Sequence, residues 1–554
     1  MEKENKNGLS RRSFLKGAAL AGAAAVGTTA IAGCSSEASG GAGNTDWLPA
    51  SWDYECDVLV IGYGGAGMWS SLISADEGAS NVIVLEKAPV EGGGNSRINN
   101  GEWTIIDADK ADTFKDYIRT FTQGKTPDAM IEAWVDECVR NTEYADKYNM
   151  TYSVSEEAIA GDIPEYAFLE ERFDHSQKLA SIDGFGMVSF HELDAEREAL
   201  GVEVLFDCTE ERLIQNPETK EIVGCYALIG GTEKTVKANK GVIMTCGGFE
   251  FNEELKNMYL KCSPFKFEGW RFNTGDGIKM AEDVGAKLWH MDMTISMYSM
   301  WTRDPDYDFS ILYFMPDFSY FVVNRLGKRY VDENKMGTPH NGWHTLLHFD
   351  DSIADYDRIP SWTIFDQNCF DAGKLSTSQG DWFECGNFTT DLPDELRDWD
   401  GWSQDNVAEL EKGWIMKGDT LEELAEKIKE FDHWMDPETL RATFDEYKTF
   451  CEQGRDERFD RSPETMVALD DGPYYAVSMY PGSCSTLGGP MKNENAQVLD
   501  TAGNVIPRLY AAGCFGNFQS HTYGITGGNN AENQVWGRIA GRHASALDPW
   551  DSSQ

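Results

Sequence analysis

The hydrophobic pattern of this chain opens with Val58-Leu59-Val60-Ile61, an uninterrupted apolar run of the kind that forms a strand buried on both faces. A helix-compatible segment follows, then a second β-rich run over 81–85. Met130, Ala133, Trp134 and Cys138 recur at helical spacing behind the start signal Thr126-Pro127-Asp128, so a helix is predicted to about Tyr148. Strands are predicted at 202–206, 222–228, 235–236 and 240–246, and a helix from Asn273-Thr274-Gly275 to near Leu288. From about Ile295 to Tyr480 the texture changes: tryptophan and aspartate are frequent, loops are long and β runs few. Two helices stand out there. One covers 421–430 behind the capping box Thr420-Leu421-Glu422-Glu423, and the other covers 436–454 with Leu440, Phe444, Tyr447 and Phe450 on one face. A last strand is predicted at 508–513, and a last helix from Gly527-Gly528-Asn529-Asn530 to about Ala544.

Glycines punctuate the junction after the first strand. Gly62, Gly64 and Gly67 stand in G-x-G-x-x-G register around Gly65 and Ala66, and Glu86 closes the second strand nineteen residues after Gly67. Each glycine meets a different physical need: a tight turn at Gly62, close backbone approach to a pyrophosphate at Gly64, and helix-on-strand packing at Gly67. The following helix start offers unpaired N–H groups to phosphates, and Glu86 can accept from a ribose. Singly, such glycines are an ordinary turn; strand, helix, second strand and terminal acid in register make a dinucleotide-binding unit.

The next loop, Glu91-Gly92-Gly93-Gly94-Asn95-Ser96, resembles the second phosphate-side loop of the fumarate reductase and succinate dehydrogenase flavoprotein superfamily. So do the strand ending in Gly247-Gly248, the hairpin from Asn324 to Glu333, and the late Gly527-Gly528-Asn529. The resemblance runs from about Asp53 to Ala546. It implies FAD as cofactor and an α/β fold, a Rossmann-like FAD-binding domain interrupted by an α+β capping domain that closes as a lid. The implied boundaries are 53–294 and 481–548 for the two parts of the FAD-binding domain and 295–480 for the cap. The implied cofactor-binding residues are Gly62, Gly64, Gly65, Ala66, Gly67, Glu86, Lys87, Gly93, Gly94, Asn95, Ser96, Gly247, Asp276, Gly513, Gly528 and Asn529.

Charge and termini add two constraints. A net charge of −45, without a Lys/Arg run beyond the extreme N-terminus, argues against nucleic acid as a partner. Residues 1–34 read as a targeting segment: Arg11-Arg12 sit in a twin-arginine motif, a mild apolar stretch follows, and Ile31-Ala32-Gly33-Cys34 resembles a lipoprotein cleavage box with Cys34 as the lipidated residue. The alternative is simple cleavage nearby. Residues 35–52 read as a linker. The remaining cysteines are scattered, without C-x-x-C, so neither metal, haem nor a disulfide framework is expected.

The superfamily's dicarboxylate clamp is missing. Ser485 stands where a histidine is expected, Ile525-Thr526 where an arginine is expected, and Gly337 where the catalytic arginine is expected. These substitutions argue against fumarate, because bidentate arginine is hard to replace for carboxylates. Instead, Tyr523 with Gly527 four residues on resembles the pair in 3-ketosteroid dehydrogenases and gut bacterial cardiac glycoside reductases. There, the hydroxyl and the glycine N–H bind a substrate carbonyl and so stabilise an enolate. Tyr523 packing on the flavin is the other reading. His521 is placed to tune Tyr523 or donate a proton, or is structural. His340, His344 and His348 fall at i, i+4, i+8, yet Pro339 and Gly342 favour a loop over a metal face. Tyr298 and Arg303 reach substrate or serve as surface or hinge. Trp343, Trp362, Trp382, Trp399 and Trp402 line a pocket or pack the core.

The expected function is an exported FAD-dependent reductase that saturates the C=C bond of an α,β-unsaturated carbonyl compound. It would be fed by a membrane-associated quinol-linked cytochrome or flavin-bearing donor in anaerobic respiration. A ketosteroid-type dehydrogenase, a fumarate- or urocanate-type reductase and a non-catalytic flavin-binding lipoprotein are the alternatives.

Overall fold

The computed structural model describes residues 46–155, 177–181, 185–305, 308, 310–336, 340–376 and 401–550. Arg11, Arg12, Cys34, Gly337, Pro339, Trp382, Cys385 and Trp399 lie outside them.

The first half of the chain builds a parallel sheet. In order come β1 (Tyr54–Ile61), α1 (Gly65–Asp76), β2 (Val82–Leu85), the single turn α2 (Gly94–Arg97), α3 (Asp128–Cys138) and α4 (Asn141–Lys147). Then follow β3 (Glu203–Leu205), β4 (Cys208–Gln215), β5 (Ile222–Ile229), β6 (Thr232–Met244) and α5 (Asp276–Asp283). The middle of the chain supplies β7 (Thr294–Trp301), β8 (Tyr320–Val323), β9 (Ser361–Asp366), α6 (Leu421–Phe431), α7 (Pro437–Gln453) and β10 (Tyr474–Thr486). Last are β11 (Gln497–Leu499), β12 (Val505–Ala511) and α8 (Gly528–Ser545).

Strand order in the first sheet is β11-β12-β6-β1-β2-β3, with β5 and β4 branching antiparallel from β6. β1 is parallel to both β2 and β6, and β12 is parallel to β6. In register, Ile61 faces Leu85 and Met244, and Met244 faces Ala511. Four strands therefore end level, and the loops that leave them meet at one carboxyl edge, where open α/β sheets bind ligands. The apolar run of β1 follows from burial on both faces. Val58 and Val60 pack under α1 and α8, while Leu59 and Ile61 face the cluster around Val236, Phe249 and Phe515. α8 lies close on α1 because a Cβ at Gly537 would stand 2.7 Å from the Trp69 Cβ.

The region from Ile295 to Tyr480 carries more strand than its sequence suggests. β7, β10, β9 and β8 pair antiparallel in that order, with short pairs at 310–311 and 416–418. α6 and α7 pack on this sheet through Leu424, Ile428, Leu440 and Phe444, and the Thr420 hydroxyl caps α6 by accepting from Glu423 N at 3.1 Å. The long strand β10 pairs with β9 over its first half and β7 over its second, delivering Ser485 and Thr486 to the first sheet's carboxyl edge.

Two predicted helices are corrected. The helix to Tyr148 breaks at Val139–Arg140. The carbonyl of Glu137, which would receive the Asn141 N–H, instead accepts the Arg140 N–H in a tighter turn and the buried Arg538 guanidinium, each at 3.0 Å. The helix expected to reach Leu288 stops at Asp283, and Leu288 enters a two-residue strand paired with Pro490. The ten described cysteines are free thiols.

Candidate cofactor cleft and carbonyl site

A cleft runs along the carboxyl edge. Its lining brings together Gly62, Gly64, Gly65, Ala66, Glu86, Lys87, Gly94, Asn95, Ser96, Gly247, Asp276 and Gly513. Gly67 and Gly93 stand behind it. A Cβ on Gly67 would lie 2.0 Å from the Gly62 carbonyl oxygen, so this glycine sets how closely α1 approaches β1. Gly64 begins α1 without a side-chain cap of its own, and the Gly65 N–H donates to Ser96 Oγ at 3.2 Å. Asn95 crosses the floor, donating to Ser485 Oγ at 2.9 Å and accepting from Trp270 N at 2.7 Å.

Glu86 is buried, and its two carboxylate oxygens accept from Tyr63 N and Ala88 N, each at 2.8 Å. Burial raises its pKa despite those bonds. Lys87 and Asp276 form an ion pair at 2.5 Å on the cleft wall, joined by Thr274. Several walls carry no sequence signal: Glu211 on β4, the loop residues Trp270 and Phe272, and Asn533 on α8. Burial pushes the Glu211 carboxyl up to about 7. No motif marks it, because the Thr-Glu-Glu-Arg stretch hides the alternation of β4.

The cleft fits FAD. It is glycine-floored where a diphosphate needs backbone N–H groups, acidic at the end of β2 where a ribose diol needs acceptors, and aromatic at Trp270 and Phe272. The glycine loops, α1, Glu86 and Asn95-Ser96 would hold it.

Glu250 ties the cleft to β10. Its Oε1 accepts from Thr486 N at 2.8 Å, while the Thr486 hydroxyl accepts from Phe249 N at 2.8 Å. Burial pushes the Glu250 carboxyl up to about 7. The folded state therefore holds this proton after the unfolded chain has lost it. Stability falls as pH rises from the ordinary carboxyl value through about 7, by roughly 3 kcal/mol. Thermal melts between pH 5 and 8 should show this fall, and Glu250→Gln should make it smaller, leaving the contributions of Glu211 and Glu532, whose carboxyls burial also pushes up to about 7.

Tyr523 lies beyond Ser485, buried among Met293, Ile295 and Leu487. Its hydroxyl accepts the Asn529 N–H at 3.3 Å, in the first turn of α8, whose N-cap is Gly527 (φ +66) without a side-chain cap. The hydroxyl and the start of α8 at Gly527, Gly528 and Asn529 thus share one small region. Its backbone is gripped by Asn341, which donates to Tyr523 O at 2.7 Å and accepts from Tyr523 N at 3.3 Å and Thr522 Oγ1 at 2.8 Å. Asn341 carries no sequence signal.

His521, by contrast, is exposed, with Nδ1 3.3 Å from Lys125 Nζ. Partial burial and the neighbouring Lys125 and Lys261 lower its pKa. The imidazole that meets the Tyr523 ring is His340, edge-on at 5.3 Å. His340, His344 and His348 do not share a helix face: His344 is in a short 3₁₀ turn and His348 pairs with Asp357 at 2.7 Å. Among the described residues no cluster of His, Cys, Asp or Glu could hold a metal ion. Ile525 and Thr526 are core residues; the Thr526 carbonyl accepts from Thr104 Oγ1 and Gln177 Nε2. Arg303 lies over Trp362, Phe431 and Tyr480, and the Tyr298 ring packs beside Gly342. Trp343, Trp362 and Trp402 are buried core residues.

The chain is similar to digoxin reductase of Eggerthella lenta, 25% identical over 99% of this chain and 98% of that protein. It is also similar to 3-oxosteroid 1-dehydrogenase of Mycolicibacterium smegmatis, 25% identical over 88% and 96% of the two chains. Its fold is shared with 3-ketosteroid Δ1-dehydrogenase from Sterolibacterium denitrificans at a TM-score of 0.68 and 19% identity, covering 89% of this chain and 99% of that one. Residues 57–530 match the family described as FAD binding domain. The chain belongs to that family and is an FAD-dependent oxidoreductase.

Proposed function

We propose that this protein is an exported reductase that saturates the C=C bond of an α,β-unsaturated carbonyl compound. The observation that carries the reading is the Tyr523 hydroxyl beside the N-terminus of α8. Reduced FAD, when bound, supplies the hydride for the β-carbon. Tyr523 Oη donates its proton toward the carbonyl oxygen, and the Gly527 N–H is the second donor. Together they stabilise the negative charge that develops on that oxygen. Met293, Ile295 and Leu487 keep water from the phenol, which strengthens both bonds. Ser485, Ile525 and Thr526 bring no cation for a dicarboxylate, which disfavours the fumarate reading.

The twin-arginine motif would export the folded protein, and lipid on Cys34 would hold it at the outer face of the membrane, as terminal reductase in anaerobic respiration. Its electrons would then come from a membrane quinol-linked cytochrome or a flavin-bearing protein.

The test is anaerobic photoreduction of the FAD-loaded protein, followed by flavin reoxidation with cyclohexenone, benzylideneacetone, a steroid enone, cinnamate, urocanate and fumarate in turn. Reoxidation by an enone supports the reading. Reoxidation by fumarate alone overturns it, and turnover of saturated ketones with artificial acceptors alone assigns the dehydrogenase direction instead.

A further inference from the structure

Two donors on the carbonyl oxygen leave the reduction half complete, because the enolate must still take a proton on its α-carbon. That carbon is bonded to the carbonyl carbon, so its proton donor must flank the group that serves the oxygen. We propose that His340 is this donor, an inference that rests on the enone reading above.

The half-buried ring of His340 stands edge-on to Tyr523, 5.3 Å between centroids and 69° between planes. The backbone holds it there. The His340 carbonyl accepts the Ser296 N–H at 3.1 Å, which fixes the residue to β7. The adjoining Asn341 is buried and makes the three bonds to Thr522 and Tyr523 described above. Imidazole and phenol are therefore carried by one hydrogen-bonded unit assembled from two distant stretches of chain. General acid catalysis needs such fixed geometry and a group that changes charge near neutral pH, as imidazole does. His521, the histidine nearest in sequence, lies exposed against Lys125.

The step balances. The proton leaves an imidazolium nitrogen of His340, the enolate's electron pair forms the α-C–H bond, and the carbonyl double bond is restored. The imidazole, left neutral, takes its next proton from water. Both electrons of the reduction arrive with the hydride of reduced FAD, which the proposed function already requires.

In reverse, the same imidazole removes an α-hydrogen from a saturated ketone, and this needs no redox change. The experiment uses FAD-loaded, oxidised protein with benzylacetone in D2O, following α-deuterium incorporation by NMR. Single-turnover reoxidation of the reduced protein by benzylideneacetone runs beside it. For His340→Gln and His340→Ala, exchange and reoxidation should both fall roughly 10²-fold or more, the usual contribution of a general acid. FAD content and benzylacetone affinity should stay at wild-type values, and added imidazole should restore exchange in His340→Ala. Wild-type exchange in both variants overturns the proposal and leaves the enone reading intact. Loss of exchange together with ketone binding, without imidazole rescue, makes His340 structural and also overturns it. A wild-type protein that no enone reoxidises removes the enone reading itself.

Discussion

Replacing Tyr523 by phenylalanine lowers the rate of flavin reoxidation by an enone by roughly 10²–10³-fold, the usual cost of losing one donor to a developing oxyanion. The ring's place is apolar, among Met293, Ile295 and Leu487, and phenylalanine fills it without a cavity. The backbone bonds from Asn341 to residue 523 are untouched, since they use the amide and carbonyl. The loss is therefore confined to the hydroxyl, which also accepts the Asn529 N–H, so FAD content should match wild type while the melting temperature falls slightly. Stopped-flow reoxidation after photoreduction measures it. An unchanged rate in Tyr523→Phe would mean that the phenol only packs, and the carbonyl-binding role would have to pass to the helix terminus alone.

Two glycines three residues apart are expected to fail in different ways. At Gly67 a Cβ would lie 2.0 Å from a backbone oxygen of Gly62, so Gly67→Ala must part α1 from β1. The expected result is loss of the folded protein, seen as insoluble expression or a collapsed thermal transition. At Gly64 the backbone is extended (φ −86, ψ −171), and a Cβ would meet Gly93 O at 3.7 Å and Gly94 Cα at 3.9 Å, ordinary contacts. Gly64→Val therefore folds. Its branched side chain stands between the two glycine loops, where the diphosphate would approach, and FAD affinity should fall ~100-fold or more. Circular dichroism melts of the apo forms and FAD titration by flavin fluorescence separate the two outcomes. Wild-type FAD affinity in Gly64→Val would place the diphosphate elsewhere.

The same contrast explains what was legible in the chain. The cleft's glycines and Glu86 were readable because their work is local: a turn, a helix start and a strand end lie within about thirty residues, and each needs a particular residue type. The α3–α4 break was not readable. Helical periodicity continues through Arg140, and at the break the Glu137 carbonyl also accepts from a guanidinium some four hundred residues downstream. Glu211 was hidden for a related reason: a half-buried carboxylate on a polar-looking strand becomes visible only when the cleft is assembled around it.

The carbonyl site divides along the same line. Tyr523 and Gly527, four residues apart, could be paired from sequence only through their resemblance to the pair of 3-ketosteroid dehydrogenases. Choosing between histidines could not be done that way, since His521 is next but one to Tyr523 in the chain and yet turns to Lys125. His340 reaches the phenol because Asn341 bonds to residues 522 and 523. By itself, then, the sequence determined the nucleotide-binding unit, set by short-range spacing and backbone sterics, and its resemblance to a flavoprotein superfamily supplied the cofactor class. Only the tertiary structure decided which side chains converge on one small volume, because that depends on strand register and on hydrogen bonds between segments with no proximity along the chain.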